Sequence, residues 1–216
     1  MIVLDCEQGT REWLEARFGR WTASNASRVV TPGGALSKAR DEYQAELLAE
    51  WVLQEPVKEF STDWTERGKA IEADAREYYE FQNDAEVRSV GLIYRDESRM
   101  TACSPDGLVG DDGGLELKSP MPETHLLYLA RGVVPGKYMP QVQGCLWITG
   151  RAWWDWMSYC PMFPPLLLRV EPDEKYQAAL DKYVPQFIAE MLEARERLSA
   201  LGVNPEMFDT EESDNG

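Results

Sequence analysis

The segment between Thr101 and Lys118 constrains this 216-residue chain more than any other. Residues 99–104 look extended, Gly107 through Gly114 reads as a turn rich in Gly and Asp, and Leu115-Glu116-Leu117-Lys118 forms a second short strand. Successive strand side chains point to opposite faces, so Glu116 and Lys118 share one face while Leu117 points into the core. Asp106 closes the first extended stretch, and the turn can bring its carboxylate to the same end of a sheet as Glu116. Two anionic oxygen ligands and one ammonium then surround a single point. Magnesium takes hard oxygen ligands and keeps several waters, so two carboxylates and a backbone carbonyl suffice to hold it. Such an ion lowers the pKa of a bound water and stabilises charge on a scissile phosphate; a second ion can assist the leaving oxygen. Lys118 can orient or help deprotonate the water, or neutralise transition-state charge. A bare Pro-Asp followed by Glu-x-Lys is nevertheless a common pattern, and spacing alone does not decide its role.

The rest of the chain frames this segment with helices. Apolar spacing predicts helices over about 9–18, 39–53, 61–81, 136–147 and 173–199, with Thr22 or Ser24 near the N-cap of a short further helix. Residues 86–95 and 99–104 are expected to pair as a hairpin, and 152–160 and 165–170 to form two more strands. The pattern indicates an α/β fold with a central mixed sheet flanked by helices, one domain over 1–208, and a disordered acidic tail over 209–216. The Leu166-Leu167-Leu168 run is expected in the core, Trp153, Trp154 and Trp156 in strand or interface packing, and His125 as a solvated loop or helix residue.

No run of about 18 apolar residues exists, which argues against a transmembrane helix. The N-terminus lacks a secretory pattern, and Cys6, Cys103, Cys145 and Cys160 contain no CxxC pair; a cytoplasmic protein with reduced thiols is the expectation. The net charge of −16 opposes tight binding to phosphates. It is unevenly spread: residues 1–40 carry six basic and four acidic side chains, whereas 171–216 carry four and twelve. A basic path in an otherwise acidic exterior is compatible with a nucleic-acid substrate, because the field in the cleft matters more than the sum.

Flanking blocks carry a specific resemblance. They are Trp13, Arg17 through Ser24, Gly68 to Arg76, Ile93 to Ser98, Thr101 to Leu108, Gly114 to Pro120, Tyr138 to Gln143, and Asp173 to Tyr176. In this order, over roughly residues 10–190, the chain resembles the phage lambda exonuclease family, YqaJ-like viral recombinases of the PD-(D/E)XK nuclease group. The resemblance implies a restriction-endonuclease-like core and a Mg²⁺-dependent 5′-to-3′ exonuclease, with two ions and Mn²⁺ able to substitute. It would digest one strand of duplex DNA to mononucleotides, leaving a 3′ overhang for a phage-type single-strand annealing protein in a bacterial host. It also implies a homotrimeric ring around the DNA, with a basic channel and the acidic tail outside.

Residue by residue, the resemblance assigns metal binding to Asp106, Glu116 and the Leu117 carbonyl, and the catalytic lysine to Lys118. Arg17, Ser24 and Gln143 fall on positions that hold the 5′-phosphate. Lys69 and Glu72, one turn apart on a helix, can serve the same cleft, and Gln141 can position the lysine or backbone. The loop from Thr31 to Ser37 lacks the basic residues of the better-known member, and Lys38 and Arg40 lie near enough to replace them. A structure-specific or restriction-type endonuclease would use the same metal chemistry, and an acidic DNA mimic would fit the charge but has no use for Lys118.

Overall fold

The computed structural model describes residues 1–57 and 66–208. Along the chain run β1 (Ile2–Leu4), α1 (Arg11–Glu15), β2 (Trp21–Thr22), a 3₁₀ helix (Ala23–Arg28), α2 (Arg40–Leu53), α3 (Glu66–Asn83), β3 (Val87–Arg88), β4 (Leu92–Tyr94), β5 (Thr101–Cys103), β6 (Gly107–Val109), β7 (Gly113–Lys118), α4 (Pro122–Arg131), α5 (Met139–Thr149), β8 (Trp153–Ser158), β9 (Leu166–Val170) and α6 (Glu174–Ala200). The α/β class is as expected, but the strands divide between two mixed sheets instead of one. The first has the order β1-β4-β5-β2 and the second β3-β6-β7-β8-β9. In the first, β2 and β5 are parallel; in the second, β7 and β8 are. The expected start of the third helix at Ser61, the side chain of Lys69 and the tail 209–216 lie outside the described residues.

The division explains where sequence periodicity misled. Residues 86–95 are not one strand: Leu92–Tyr94 pairs with Thr101–Cys103, while Val87–Arg88 joins the second sheet beside β6. The break falls at Gly91, where an added Cβ would collide with the backbone and thiol of Cys6. Likewise the expected turn from Gly107 is shorter. Gly107–Val109 is a strand, and the reversal falls at Gly110, whose φ of 53° favours glycine. The chain therefore crosses from one sheet to the other at Ser104-Pro105-Asp106, between β5 and β6.

Strand alternation sorts β7 as its sequence requires. Leu115 and Leu117 pack with Ala75 and Tyr79 of α3, Val109 of β6 and Met157 of β8. Burying a leucine-sized side chain contributes roughly 1.5–3 kcal/mol, so this face holds β7 against α3. Gly113 and Gly114 leave room for the indoles of Trp153 and Trp154, against which any Cβ would clash. Trp154 and Trp156 are fully buried. Buried Asp155 joins the layers: it accepts from Tyr79 of α3 at 2.7 Å and from Arg169 of β9 through two 2.9 Å bonds.

Two expectations fail. The Leu166-Leu167-Leu168 run is not wholly core, because β9 is an outer strand that alternates; Leu167 is 38% exposed while its neighbours pack inward. His125 is fully buried, not solvated. It sits on α4, a helix the periodicity did not indicate, begun by Pro122 in its first turn and ended by left-handed Gly132. Its ring nitrogens contact Ser158 Oγ at 2.8 Å and the Pro164 carbonyl at 3.0 Å, which ties α4 to the end of β8.

Candidate active site

Antiparallel pairing between β6 and β7 matches Gly107 with Leu115. The same register carries Asp106 opposite Glu116, one step past the last paired residues. Asp106 takes over from the ladder there: its Oδ2 accepts the Leu117 amide at 2.5 Å. The N–H and C=O of one strand residue point to the same edge, so the Leu117 carbonyl also faces the edge that β6 has left. Glu116 and Lys118 project from the opposite surface of β7 to Leu117, toward α5.

Lys118 Nζ lies 2.5 Å from Glu116 Oε1, and Gln141 Nε2 donates to that same oxygen at 2.6 Å. The second carboxylate oxygen, Glu116 Oε2, is buried with no hydrogen-bond partner among the described residues. A buried ionisable oxygen left unpaired is costly, unless a cation completes it. Burial, reinforced by the neighbouring Glu116 charge, pushes the Asp106 carboxyl well above its usual range. Burial works against the charge of Lys118, but Glu116 and Asp106 together raise its pKa, so it remains an ammonium.

The donor set fits a magnesium ion: the orphaned Glu116 Oε2, the Asp106 carboxylate and the Leu117 carbonyl are hard oxygen donors on residues that line one cleft. No group of three or more His, Cys, Asp or Glu suited to a metal occurs among the described residues. A two-carboxylate site that retains waters suits magnesium and does not resemble a closed zinc site. All four cysteines are free, and Cys103, Cys145 and Cys160 are buried.

The site opens into a cleft of about 590 Å³. Of the residues expected from sequence, it brings together Asp106, Glu116, Leu117, Lys118, Gln141, Glu72, Arg17 and Ser24. Glu72 on α3 also borders an adjoining chamber of about 430 Å³ and lies 3.7 Å from Arg76. Ser24 is exposed at the start of the 3₁₀ helix, whose N-cap position is Thr22. That helix can approach α5 closely because Gly144 leaves only 3.0 Å between its virtual Cβ and the Ala23 methyl.

Gln143 is the correction. It is 2% exposed and turns away from the cleft. Its amide donates to the Glu171 carbonyl at 2.8 Å and its oxygen accepts from the Asp173 amide and the Gln177 side chain at 2.9 and 2.8 Å. It anchors the start of α6 and does not line the cleft. Two residues apart on a helix are about 200° apart around the axis, so Gln141 and Gln143 cannot serve one site.

Ser104, not Gln143, is the side chain that stands beside Arg17. Its Oγ lies 2.9 Å from both Arg17 Nη1 and Trp13 Nε1, and the Arg17 guanidinium stacks over the Trp13 ring at 4.2 Å. Thr10 caps α1 by accepting from the Trp13 amide, while Gln8 bonds the Pro105 and Val90 carbonyls at 2.9 and 3.0 Å. The N-terminal segment thereby clamps the Ser104-Pro105-Asp106 crossover. The signal was available: Ser104 precedes Asp106 by two in an extended stretch, which places both on one face. Lys137 and Tyr138 also line the cleft and were not singled out from sequence.

This arrangement, two carboxylates and a lysine where β6 and β7 part within a mixed sheet flanked by helices, defines a PD-(D/E)XK-type fold. The chain belongs to the YqaJ-like viral recombinase domain family, which it matches over residues 12–152. Among solved structures it is similar to an alkaline exonuclease (LHK-Exo) from Laribacter hongkongensis, with a TM-score of 0.78 and 31% identity over 89% of this chain and 98% of that one. It is also similar to LHK-Exo in complex with dAMP, with a TM-score of 0.72, 30% identity, and 89% and 100% of the two chains covered. A phage-related exonuclease from Haemophilus somnus 129PT shares the fold, at a TM-score of 0.55 and 14% identity over 80% of this chain and 96% of that one. A segment of 64 residues, 28% of this chain, is 38% identical to 74% of the uncharacterized protein ExoD of Escherichia coli (strain K12). Among the described residues no helix is long and apolar enough to cross a membrane.

Proposed function

We propose that this chain is a Mg²⁺-dependent exonuclease that digests one strand of duplex DNA from a 5′-phosphorylated end, 5′ to 3′, releasing mononucleotides and leaving a 3′ overhang. The observation that carries the reading is the unpartnered, buried Glu116 Oε2 beside Asp106 and Lys118 in a cleft that also contains Arg17. Asp106, Glu116 and the Leu117 carbonyl would hold the metal, with Glu72 near enough to the cleft to assist a second ion or its waters. Bound there, magnesium supplies an activated water and charge stabilisation on the phosphate.

The protein's own groups supply position and proton control. Arg17, braced by Ser104 and Trp13, offers a guanidinium to a terminal phosphate, and Ser24 adds a neutral donor. Ser104 and Asp106 are two residues apart, at most about 7 Å of extended chain. That separation suits one nucleotide between the terminal phosphate and the cut, which supports mononucleotide release. Holding the end in this way registers the scissile bond over the carboxylates. Gln141 fixes the Glu116 carboxylate, and Lys118 lies where it can orient the attacking water or meet developing charge. LHK-Exo, an alkaline exonuclease crystallised with dAMP, supports both the activity and the product class.

In this reading the enzyme works in the cytoplasm of a phage-bearing bacterial host, as a homotrimeric ring, and passes its 3′ tail to a single-strand annealing protein. The test is release from duplexes labelled at either the 5′ or the 3′ end, with and without Mg²⁺. Magnesium-dependent loss of the 5′ label as mononucleotide, with closed circles left intact, is the expected outcome. Cutting of the closed circle would replace this reading with an endonuclease.

A further inference from the structure

Among the described residues, three cations line the cleft: Arg17, Lys118 and Lys137. The reading above uses the first for the terminal phosphate and the second at the scissile phosphate, and it leaves the third without a task. Lys137 is exposed, immediately before α5, on the cleft rim. Its ammonium lies against the Tyr138 ring, and the phenols of Tyr138 and Tyr128 raise its pKa. Among the described residues its ammonium forms no ion pair with a carboxylate, in a chain of net charge −16.

Tyr138 fixes its position relative to the chemistry. Lys137 Nζ lies 4.7 Å from the Tyr138 ring centroid and Lys118 Nζ lies 5.3 Å from the same centroid. The two ammonium groups are thus no more than 10 Å apart. The Tyr138 ring is itself held in an aromatic cluster, 5.6 Å from Trp156 and 6.4 Å from Tyr128 by centroids. Both tyrosines are anchored to the core, so Lys137 rests on a rigid rim and not on a free surface strand of chain.

We propose that Lys137 binds the phosphate on the 3′ side of the scissile linkage, so that Arg17, Lys118 and Lys137 engage three consecutive phosphates of the digested strand. This rests on the exonuclease reading above and adds a substrate-binding residue to it. A strand drawn through the cleft then keeps its next phosphate engaged while the terminal nucleotide leaves, and the aromatic platform lets the lysine meet phosphate without competition from a carboxylate. Each phosphate neutralised by a protein cation steepens the salt dependence of binding by close to one counterion.

The experiment pairs Lys137→Ala with a substrate whose linkage between the second and third nucleotides is a neutral methylphosphonate. On ordinary 5′-phosphorylated duplex, Lys137→Ala should raise KM about fivefold to tenfold, leave kcat within about twofold, and lower the salt slope by about one. Lys137→Arg should retain most of the wild-type KM. The methylphosphonate should raise the wild-type KM by a similar factor and leave that of Lys137→Ala unchanged. Equal KM increases for both proteins on the neutral linkage, or a wild-type KM for Lys137→Ala on ordinary duplex, would overturn the assignment while leaving the exonuclease intact. Absence of nucleotide release by the wild type on ordinary duplex would overturn the exonuclease reading and this assignment with it.

Discussion

The side-chain amide of Gln141 donates to Glu116 Oε1 at 2.6 Å, the same oxygen that Lys118 approaches at 2.5 Å. One carboxylate oxygen is thus committed to the protein, and the other, buried and unpartnered, is left for a cation. Residues that orient a ligand without touching the metal commonly change affinity or activity about 10–100-fold when removed. Gln141→Ala should therefore raise the Mg²⁺ concentration for half-maximal activity by about that factor, with excess Mg²⁺ restoring most of the rate. A magnesium titration of nucleotide release checks this; an unchanged midpoint would remove Gln141 from the site.

Glu116→Gln keeps the shape of the side chain and removes its charge. The substituted amide would still meet Gln141 and Lys118, but it is a poor magnesium ligand. Release should fall by at least ~100-fold while the fold, judged by its thermal transition, persists. Single-turnover rates within tenfold of wild type would contradict the proposed metal site.

Asp106 makes a pH prediction. Its carboxyl is held well above the usual range by burial and by Glu116. A raised folded-state pKa contributes stability that is fully present below the unfolded carboxylate value and is lost as pH rises through the folded value. In EDTA, Asp106→Asn, uncharged at every pH, should melt above wild type at pH 8, and the gap should close toward pH 4. Mg²⁺ should raise the wild-type Tm and leave the variant's unchanged. A variant less stable than wild type at pH 8 would refute this account.

Arg17 and Ser104 should behave as a pair that reads the end of the strand. Arg17→Ala and Ser104→Ala are expected to slow digestion of 5′-phosphorylated ends about 10–100-fold, and of 5′-hydroxyl ends much less. The ratio of the two rates is the measurement. Equal slowing on both ends would show that these residues brace the Ser104-Pro105-Asp106 crossover without contacting phosphate.

Gln143 should do the reverse. Its removal leaves the Asp173 amide and the Glu171 carbonyl without their side-chain partner near the start of α6, while Gln177 keeps only its bond to the Gln143 backbone carbonyl. A loss of about 1–3 kcal/mol follows, or roughly 2–12 °C in Tm, with the phosphate-to-hydroxyl rate ratio unchanged. A changed ratio without a change in Tm would return Gln143 to the phosphate pocket.

The amino-acid sequence by itself determined what depends on short-range geometry. Strand alternation put Glu116 and Lys118 on one face of β7, because side-chain direction repeats every two residues whatever the strand pairs with. The same rule reaches Ser104 from Asp106, and helical periodicity separates Gln141 from Gln143; both were legible and passed over. The helices over 40–53 and 174–200 were also plain from their apolar spacing.

Only the tertiary structure decided what depends on which surfaces meet. The strands on either side of Gly91 join different sheets, and the backbone there passes so close to Cys6, eighty-five positions earlier, that no side chain fits. The burial of His125 depends on Ser158 and Pro164, which no local pattern connects to it. The orphaned oxygen of Glu116 arises because α5 brings Gln141 to one side of that carboxylate, while no described residue bonds the other. Lys137 and Lys118 share the Tyr138 ring for the same reason: the start of α5 meets the end of β7, and packing at long sequence separation is set by the complementarity of buried surfaces, which a one-dimensional pattern does not encode.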